Sequence, residues 1–89
     1  MRAIVTVVGK DKVGIIAGVC TALAEYNVNI LDIRQTVMQG YFTMMMVTDV
    51  SASNLPVAEL AKALEEKGKE MNLSIRLQRE DIFDAMHRV

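Results

Sequence analysis

The sequence has no tryptophan, one cysteine, one proline and one histidine, and its two tyrosines and two phenylalanines bring aromatics to only 4%. Each scarcity removes a class of function. A single cysteine closes no intrachain disulfide and fits a reducing compartment. A single histidine, His87, with no Cys/His cluster at ligand spacing, gives no metal centre and no cofactor site to assign. Aromatics are missing from the first apolar run, and the third has only Tyr41 and Phe42 at its start, so no base-stacking surface is expected. Charge is equally sparse. A formal net charge of -1 argues against the clustered lysine and arginine that hold nucleic acid. No apolar stretch approaches the roughly 20 residues that span a bilayer. Arg2 leads straight into a strand-like run with no small-residue cleavage site behind it. The expectation is a cytoplasmic chain with neither a membrane nor a nucleic acid as partner.

What is present is aliphatic. Hydrophobic residues fill 52% of 89 positions, while a domain of this size buries only roughly 60–65% of its unfolded surface. Apolar surface left over predicts association.

The patterning places that surface. Residues 2–9 read as a strand in which Ala3, Val5 and Val7 alternate with Ile4, Thr6 and Val8, so both faces are covered and the strand is central. After the turn Gly9-Lys10-Asp11-Lys12-Val13-Gly14-Ile15, a helix carries Ile16, Val19, Cys20 and Leu23 on a stripe facing a sheet. Gly18 inside that helix predicts close approach of another backbone. A second strand starts near Asn27. Val28 and Ile30 share one parity, Leu31, Ile33 and Val37 the other, and the phase change predicts a bulge near Ile30. Asp32 and Arg34 lie on the polar face and read as a solvated pair of little energy. Gln39-Gly40 is a hairpin signal. Tyr41 to Val50 is a third strand, again apolar on both sides, with Met44-Met45-Met46 as pliable filler. Pro56 opens a second helix whose inner face holds Val57, Leu60, Ala61, Leu64 and Met71. Leu73 to Glu80 alternates as an edge strand. The tail from Asp81 to Val89 spaces Ile82, Phe83 and Met86 helically and needs a surface to lie on.

The order β-α-β-β-α-β predicts an α+β, ferredoxin-like sandwich: a four-stranded antiparallel sheet in the order 4-1-3-2, with two helices on one face and a short C-terminal helix. Residues 1–80 form the domain and 81–89 its helical tail. The face without helices exposes the second parity of strands one and three, an apolar surface of the kind that marks an association site, and a homodimer follows.

For chemistry, the turn after strand one stands out. A strand becomes a helix through Gly9 and Gly14, leaving the first helical N–H groups free to meet an anion. The structural alternative is that the glycines only shape a tight turn and Asp11 only caps a helix. A phosphate-hydrolysing reading in the manner of acylphosphatase needs an arginine just after strand one, where this chain has only Lys10 and Lys12.

The run Gly9-Lys10-Asp11-Lys12-Val13-Gly14-Ile15-Ile16-Ala17, with Leu23-Ala24-Glu25-Tyr26-Asn27-Val28-Asn29-Ile30 at the usual separation, resembles the ACT domain, the small-molecule-sensing module of amino-acid metabolism. It is most similar to the small stand-alone ACT proteins related to the glycine-cleavage regulators, over nearly the whole chain. The resemblance implies a non-enzymatic regulatory protein that pairs and holds an effector, an amino acid, at the pair interface. The implied ligand-binding residues are Asp11, Lys12, Val13, Gly14 and Ile15 from the loop of one subunit and Asn29 from strand two of the other. Backbone N–H groups around Gly14 and Ile15 would receive a carboxylate, Asp11 an ammonium group, and Asn29 either end. Asp11 as a helix cap and Asn29 as a turn residue remain the structural alternatives. Many ACT domains are joined to the enzyme or DNA-binding domain that reads their signal. With none here, the output passes to a separate regulated protein. The reading of a different class is a protein-interaction adaptor with no ligand, whose loop is purely structural.

Overall fold

The computed structural model describes residues 1–10 and 13–86, with backbone alone at 83, 85 and 86. Its elements run β1 (Arg2–Lys10), α1 (Ile15–Glu25), β2 (Asn29–Met38), β3 (Tyr41–Asp49), α2 (Val57–Glu70), β4 (Leu73–Arg79) and α3 (Glu80–Met86). The strands form one sheet in the order β2-β3-β1-β4, with every neighbouring pair antiparallel. This is the ferredoxin-like arrangement expected, with the two doubly apolar strands in the centre.

The core lies between the sheet and its two long helices. Ala3, Val5 and Val7 of β1, Phe42, Met44 and Met46 of β3, and Leu73, Ile75 and Leu77 of β4 all point to the helix side and are buried. They meet Ile15, Val19, Ala22 and Leu23 of α1 and Leu60 and Leu64 of α2. Each fully buried aliphatic side chain of this kind contributes about 1.5–3 kcal/mol. Thr48, the one polar residue buried there among the described residues, donates its hydroxyl to the Ala3 carbonyl at 2.9 Å and so carries no unmet hydrogen bond.

The α1 face differs from the expected stripe. Ile15 and Ala22 are buried in place of Ile16 and Cys20, and Ile16 is 40% exposed. The helix is apolar nearly all round, so its periodicity selects no face and the docking of its first residue does. Gly18 is not approached by a backbone: a Cβ there would meet the Met71 side chain. Backbone proximity occurs at Gly68 instead, where α2 lies against β4 and a Cβ would stand 2.8 Å from the Leu73 carbonyl oxygen.

Between Ile30 and Asp32 the β2–β3 register shifts, leaving Leu31 as the extra residue of a bulge, as the change of parity predicts. Gln39 and Gly40, at φ 50° and 83°, make the two-residue hairpin that joins these strands. Asp32 and Arg34 share a face but are not each other's ion pair. Asp32 Oδ1 accepts the Ile33 backbone N–H at 2.8 Å.

The other sheet face is apolar along its middle and polar at its margins. β1 presents Ile4, Thr6 and Val8, and β3 presents Val47, Met45, Thr43 and Tyr41, while β4 adds Gln78, Arg76 and Ser74. α3 contacts β1 and β4, and Glu80 pairs with Arg2 at 2.9 Å, on the side away from α1 and α2. Ile4 is buried there, whereas Val8 and Met45 stay open. The tail helix thus contacts its own sheet at β1 and β4.

Candidate functional site: the helix start after strand one and the head of strand two

β1 ends at Lys10, and the chain turns into α1 through Gly14, which occupies the left-handed region at φ 90°. An L side chain strains that conformation and glycine does not. Gly14 is itself the N-cap, no side chain among the described residues caps the helix, and its first turn holds no acidic residue. The first helical bond runs from the Gly18 N–H to the Gly14 carbonyl at 2.9 Å. The N–H groups of Ile15, Ile16 and Ala17 precede it and have no partner within the helix. Ile15 anchors this start by burying its side chain, while Val13 is wholly exposed and Gly14 open to solvent. The result is a helix start anchored by Ile15 with no side-chain cap among the described residues.

Asp11 and Lys12, two of the loop residues expected to bind, lie outside the described residues, as does His87.

Asn29 is the first residue of β2, exposed, and paired in register with Asp49. It is therefore not the turn residue. That role belongs to Asn27, at φ 59°, whose side-chain amide donates to the Ala52 carbonyl at 3.0 Å. Asn54 completes this end of α1: its side-chain amide donates to the Glu25 carbonyl and its backbone N–H to that of Tyr26, both at 3.0 Å. Between them lies a shallow hollow of about 300 Å³, lined by Ala24, Asn27, Val28, Asn29 and Ala52. Asp49, across the ladder from Asn29, is held below the usual carboxylate range by hydrogen bonds from the Ser51 side chain and backbone, aided by the N-terminal ammonium 3.7 Å away. The sequence reading missed the supports Asn27, Ala52 and Asn54. An asparagine at a helix-to-strand turn was the available signal.

The two halves do not meet within one chain. Gly14 follows the Lys10 end of β1, and Lys10 is level with Tyr41 and Met38; Asn29 is level with Asp49 and Arg2, at the other end. The length of β1 separates them, roughly 27 Å at ~3.4 Å per residue. A larger hollow of about 430 Å³, between α2 and β4 and lined by Glu65, Lys69, Leu73, Ser74, Ile75 and Arg76, involves neither half. Among the described residues no group of three or more His, Cys, Asp or Glu could hold a metal ion, and no helix is long and apolar enough to cross a membrane.

A family model described as ACT domain matches residues 2–78. A UPF0237 protein of Clostridium acetobutylicum is 57% identical over 89 residues, covering 100% of both chains. Among solved structures, an ACT domain protein from Streptococcus pneumoniae is 47% identical, with a TM-score of 0.83 over 98% of each chain. The regulatory subunit of aspartate kinase from Thermus thermophilus is 26% identical, with a TM-score of 0.69 over 89% of this chain and 51% of that one. A putative glycine cleavage system transcriptional repressor shares the fold at 22% identity, with a TM-score of 0.73 over 86% of this chain and 44% of that one.

Proposed function

The chain belongs to the ACT-domain family, and from that premise we propose that it is a non-enzymatic regulatory protein that binds an amino acid between two copies of itself and acts on a separate protein. Residues 1–80 are the sensing module and 81–89 its tail. The observation that carries this reading is the pair of half-sites at opposite ends of one sheet. The start of α1, with no side-chain cap among the described residues, offers backbone donors suited to a carboxylate. Asn29, with a donor and an acceptor in one amide, suits either end of the same ligand. A free amino acid is far shorter than β1, so one that touches both takes the helix start from one chain and Asn29 from another. In this reading Asp11 accepts from the ligand ammonium group, Lys12 and Val13 border the ligand, and Gly14 and Ile15 present the N–H groups. A relative named for regulating aspartate kinase fits an amino-acid effector.

The test is a thermal-shift and calorimetric screen of the free amino acids on the full chain, with Asn29→Ala as control. One amino acid should stabilise the fold, by about 2.7 kcal/mol at a concentration 100 times its Kd. Asn29→Ala should abolish the shift without lowering the unliganded Tm by more than ~1 kcal/mol equivalent. No shift with any amino acid refutes sensing. The adaptor reading draws on apolar side chains exposed on β2 and at the start of β3, at Leu31, Val37, Met38 and Tyr41. It predicts capture of one partner protein regardless of substitution at Asp11 or Asn29.

A further inference from the structure

We propose that the sheet face away from α1 and α2 is where the chain meets the protein it acts on. The occupant is an amphipathic helix of that protein, its apolar stripe bordered by acidic residues on both sides. The proposal rests on the output passing to a separate protein, as both readings above require, and names the surface and the chemistry that fits it.

The cross-strand registers place the charges. Arg34 of β2, Met45 of β3, Thr6 of β1 and Arg76 of β4 form one row across this face. The two arginines stand at its margins, about 14 Å apart over three strand spacings. Neither makes an ion pair among the described residues. Asp32, the neighbouring acid on β2, is turned to the backbone, where its Oδ1 accepts the Ile33 N–H at 2.8 Å. The rows beyond Arg34 toward the hairpin add Lys10 and no acidic residue. Half of one face thus gathers three cations, in a chain whose net charge is -1. That half ends at Lys10, where the chain leaves β1 for the start of α1.

Between the arginines the surface is apolar and open. Met45 and Val8 are 41% and 42% exposed, and Met38 and Tyr41 beyond them 68% and 57%. A hollow of about 330 Å³ opens beside Met38 and Tyr41, with Thr36, Gln39 and Thr43 completing its lining. It has room for one large apolar side chain of the kind that anchors an interface. Methionine adapts its shape to whatever packs on it, which suits a surface that takes a helix.

A helix matches this strip in width and in charge. Its diameter with side chains is about 10–12 Å, which lies within the distance between the arginines. Laid along β3 and β1, it buries its apolar stripe on Val8, Met45 and Tyr41. One border then lies beside Arg34 and the other beside Arg76, so acidic residues on both meet a guanidinium group. Two other occupants fit less well. A second copy, face to face about a two-fold through the arginine row, sets arginine against arginine whether the axis runs along the strands or across them. A single-stranded nucleic acid would find one aromatic on these strands, Tyr41 at the rim, and few cations to follow its backbone.

Two measurements on the full chain test this. The first is fluorescence anisotropy of a labelled synthetic helix of about 18 residues, five turns, with a leucine stripe bordered by glutamate on both sides. It should bind, and the same stripe bordered by lysine should bind roughly tenfold more weakly or worse. Arg34→Glu and Arg76→Glu, both at exposed positions, should each weaken binding of the glutamate-bordered helix roughly tenfold. Lys62→Glu, the same change of charge at an exposed position of α2, should leave it unaltered. The second is photo-cross-linking in the native host from a benzoylphenylalanine placed at Met45, with the captured segment identified by mass spectrometry. The segment should be an acid-bordered amphipathic stretch of another protein. A glutamate-bordered helix that fails to bind, or whose binding ignores both arginine reversals, overturns the proposal. So does capture of RNA or of a second copy at Met45. A partner captured from Val37 or Lys62 but not from Met45 leaves the separate-protein reading standing and overturns this one. No partner from any of the three positions overturns that reading itself.

Discussion

Replacing Gly68 by alanine should destabilise the protein even though alanine is the better helix former. The residue lies near the end of α2, where exchanging glycine for alanine normally stabilises a helix by about 1 kcal/mol. Here the added methyl has nowhere to go. It would stand 2.8 Å from the Leu73 carbonyl oxygen, 3.0 Å from Ile75 Cγ1 and 3.2 Å from the Ile75 nitrogen. Two of these atoms are backbone of β4, held in the ladder with β1, so relief requires moving the strand or tilting the helix. Overpacking of this kind costs about 1–3 kcal/mol. With two rigid backbone atoms in the way the cost falls in the upper half of that range, about 2–3 kcal/mol, which less the propensity gain leaves a net loss of about 1–2 kcal/mol, a fall in Tm of roughly 4–16 °C for a domain of this size. Gly18 is the internal control. It sits in the middle of α1, and its methyl would meet Met71 Cε at 2.5 Å and Sδ at 3.3 Å, the far end of a flexible side chain. Met71 can swing aside, so Gly18→Ala should be neutral or stabilising by up to ~1 kcal/mol. Urea and thermal unfolding of the two variants beside wild type decide the matter. A Gly68→Ala protein as stable as wild type, or a Gly18→Ala protein less stable than Gly68→Ala, would refute the steric reasoning.

Other perturbations give equally direct outcomes. Gly14→Ala meets no neighbouring atom among the described residues but forces an L side chain into φ 90°; it should cost about 1–2 kcal/mol in urea unfolding, and Gly14→Asn, which tolerates that region better, should cost less. Asp49 has its folded pKa lowered by the Ser51 hydrogen bonds, so its ionised form contributes stability above the unfolded-state value and loses it as pH falls through the lowered folded value. Asp49→Asn should therefore be less stable than wild type at neutral pH, and the gap should close progressively in acid, as read from Tm against pH.

Much of the fold was written in parity. Strands apolar on both faces became the central β1 and β3, strict alternation became the edge β4, and the change of phase at Ile30 became the bulge at Leu31. These succeed because a strand has only two faces, so one misplaced residue is conspicuous. The α1 face was not legible for the converse reason. With Ile15, Ile16, Val19, Cys20 and Leu23 all apolar, several helical phases satisfy the pattern, and the buried Ile15 after Gly14 selects one. Gly18 was misjudged, since composition does not say whether a missing side chain makes room for a backbone, as at Gly68, or for a side chain, as Met71 at Gly18. At the candidate site, the tight turn at Gly14 followed from local sequence, whereas the place of Asn29 as the first residue of β2 did not. Their separation follows from direction: α1 returns the chain along β1 before β2 begins, so residues near in sequence stand at opposite ends.

That length of sheet has a consequence in mass action. A ligand that must touch both ends answers to two chains at once, so its apparent affinity depends on how much protein is present as well as on how well it fits. Dilution would weaken binding, and ligand would draw separated chains together, by equal amounts of free energy. Such a protein reports on a metabolite and on its own abundance in one signal, and a cell could silence it by lowering its copy number without altering a single contact.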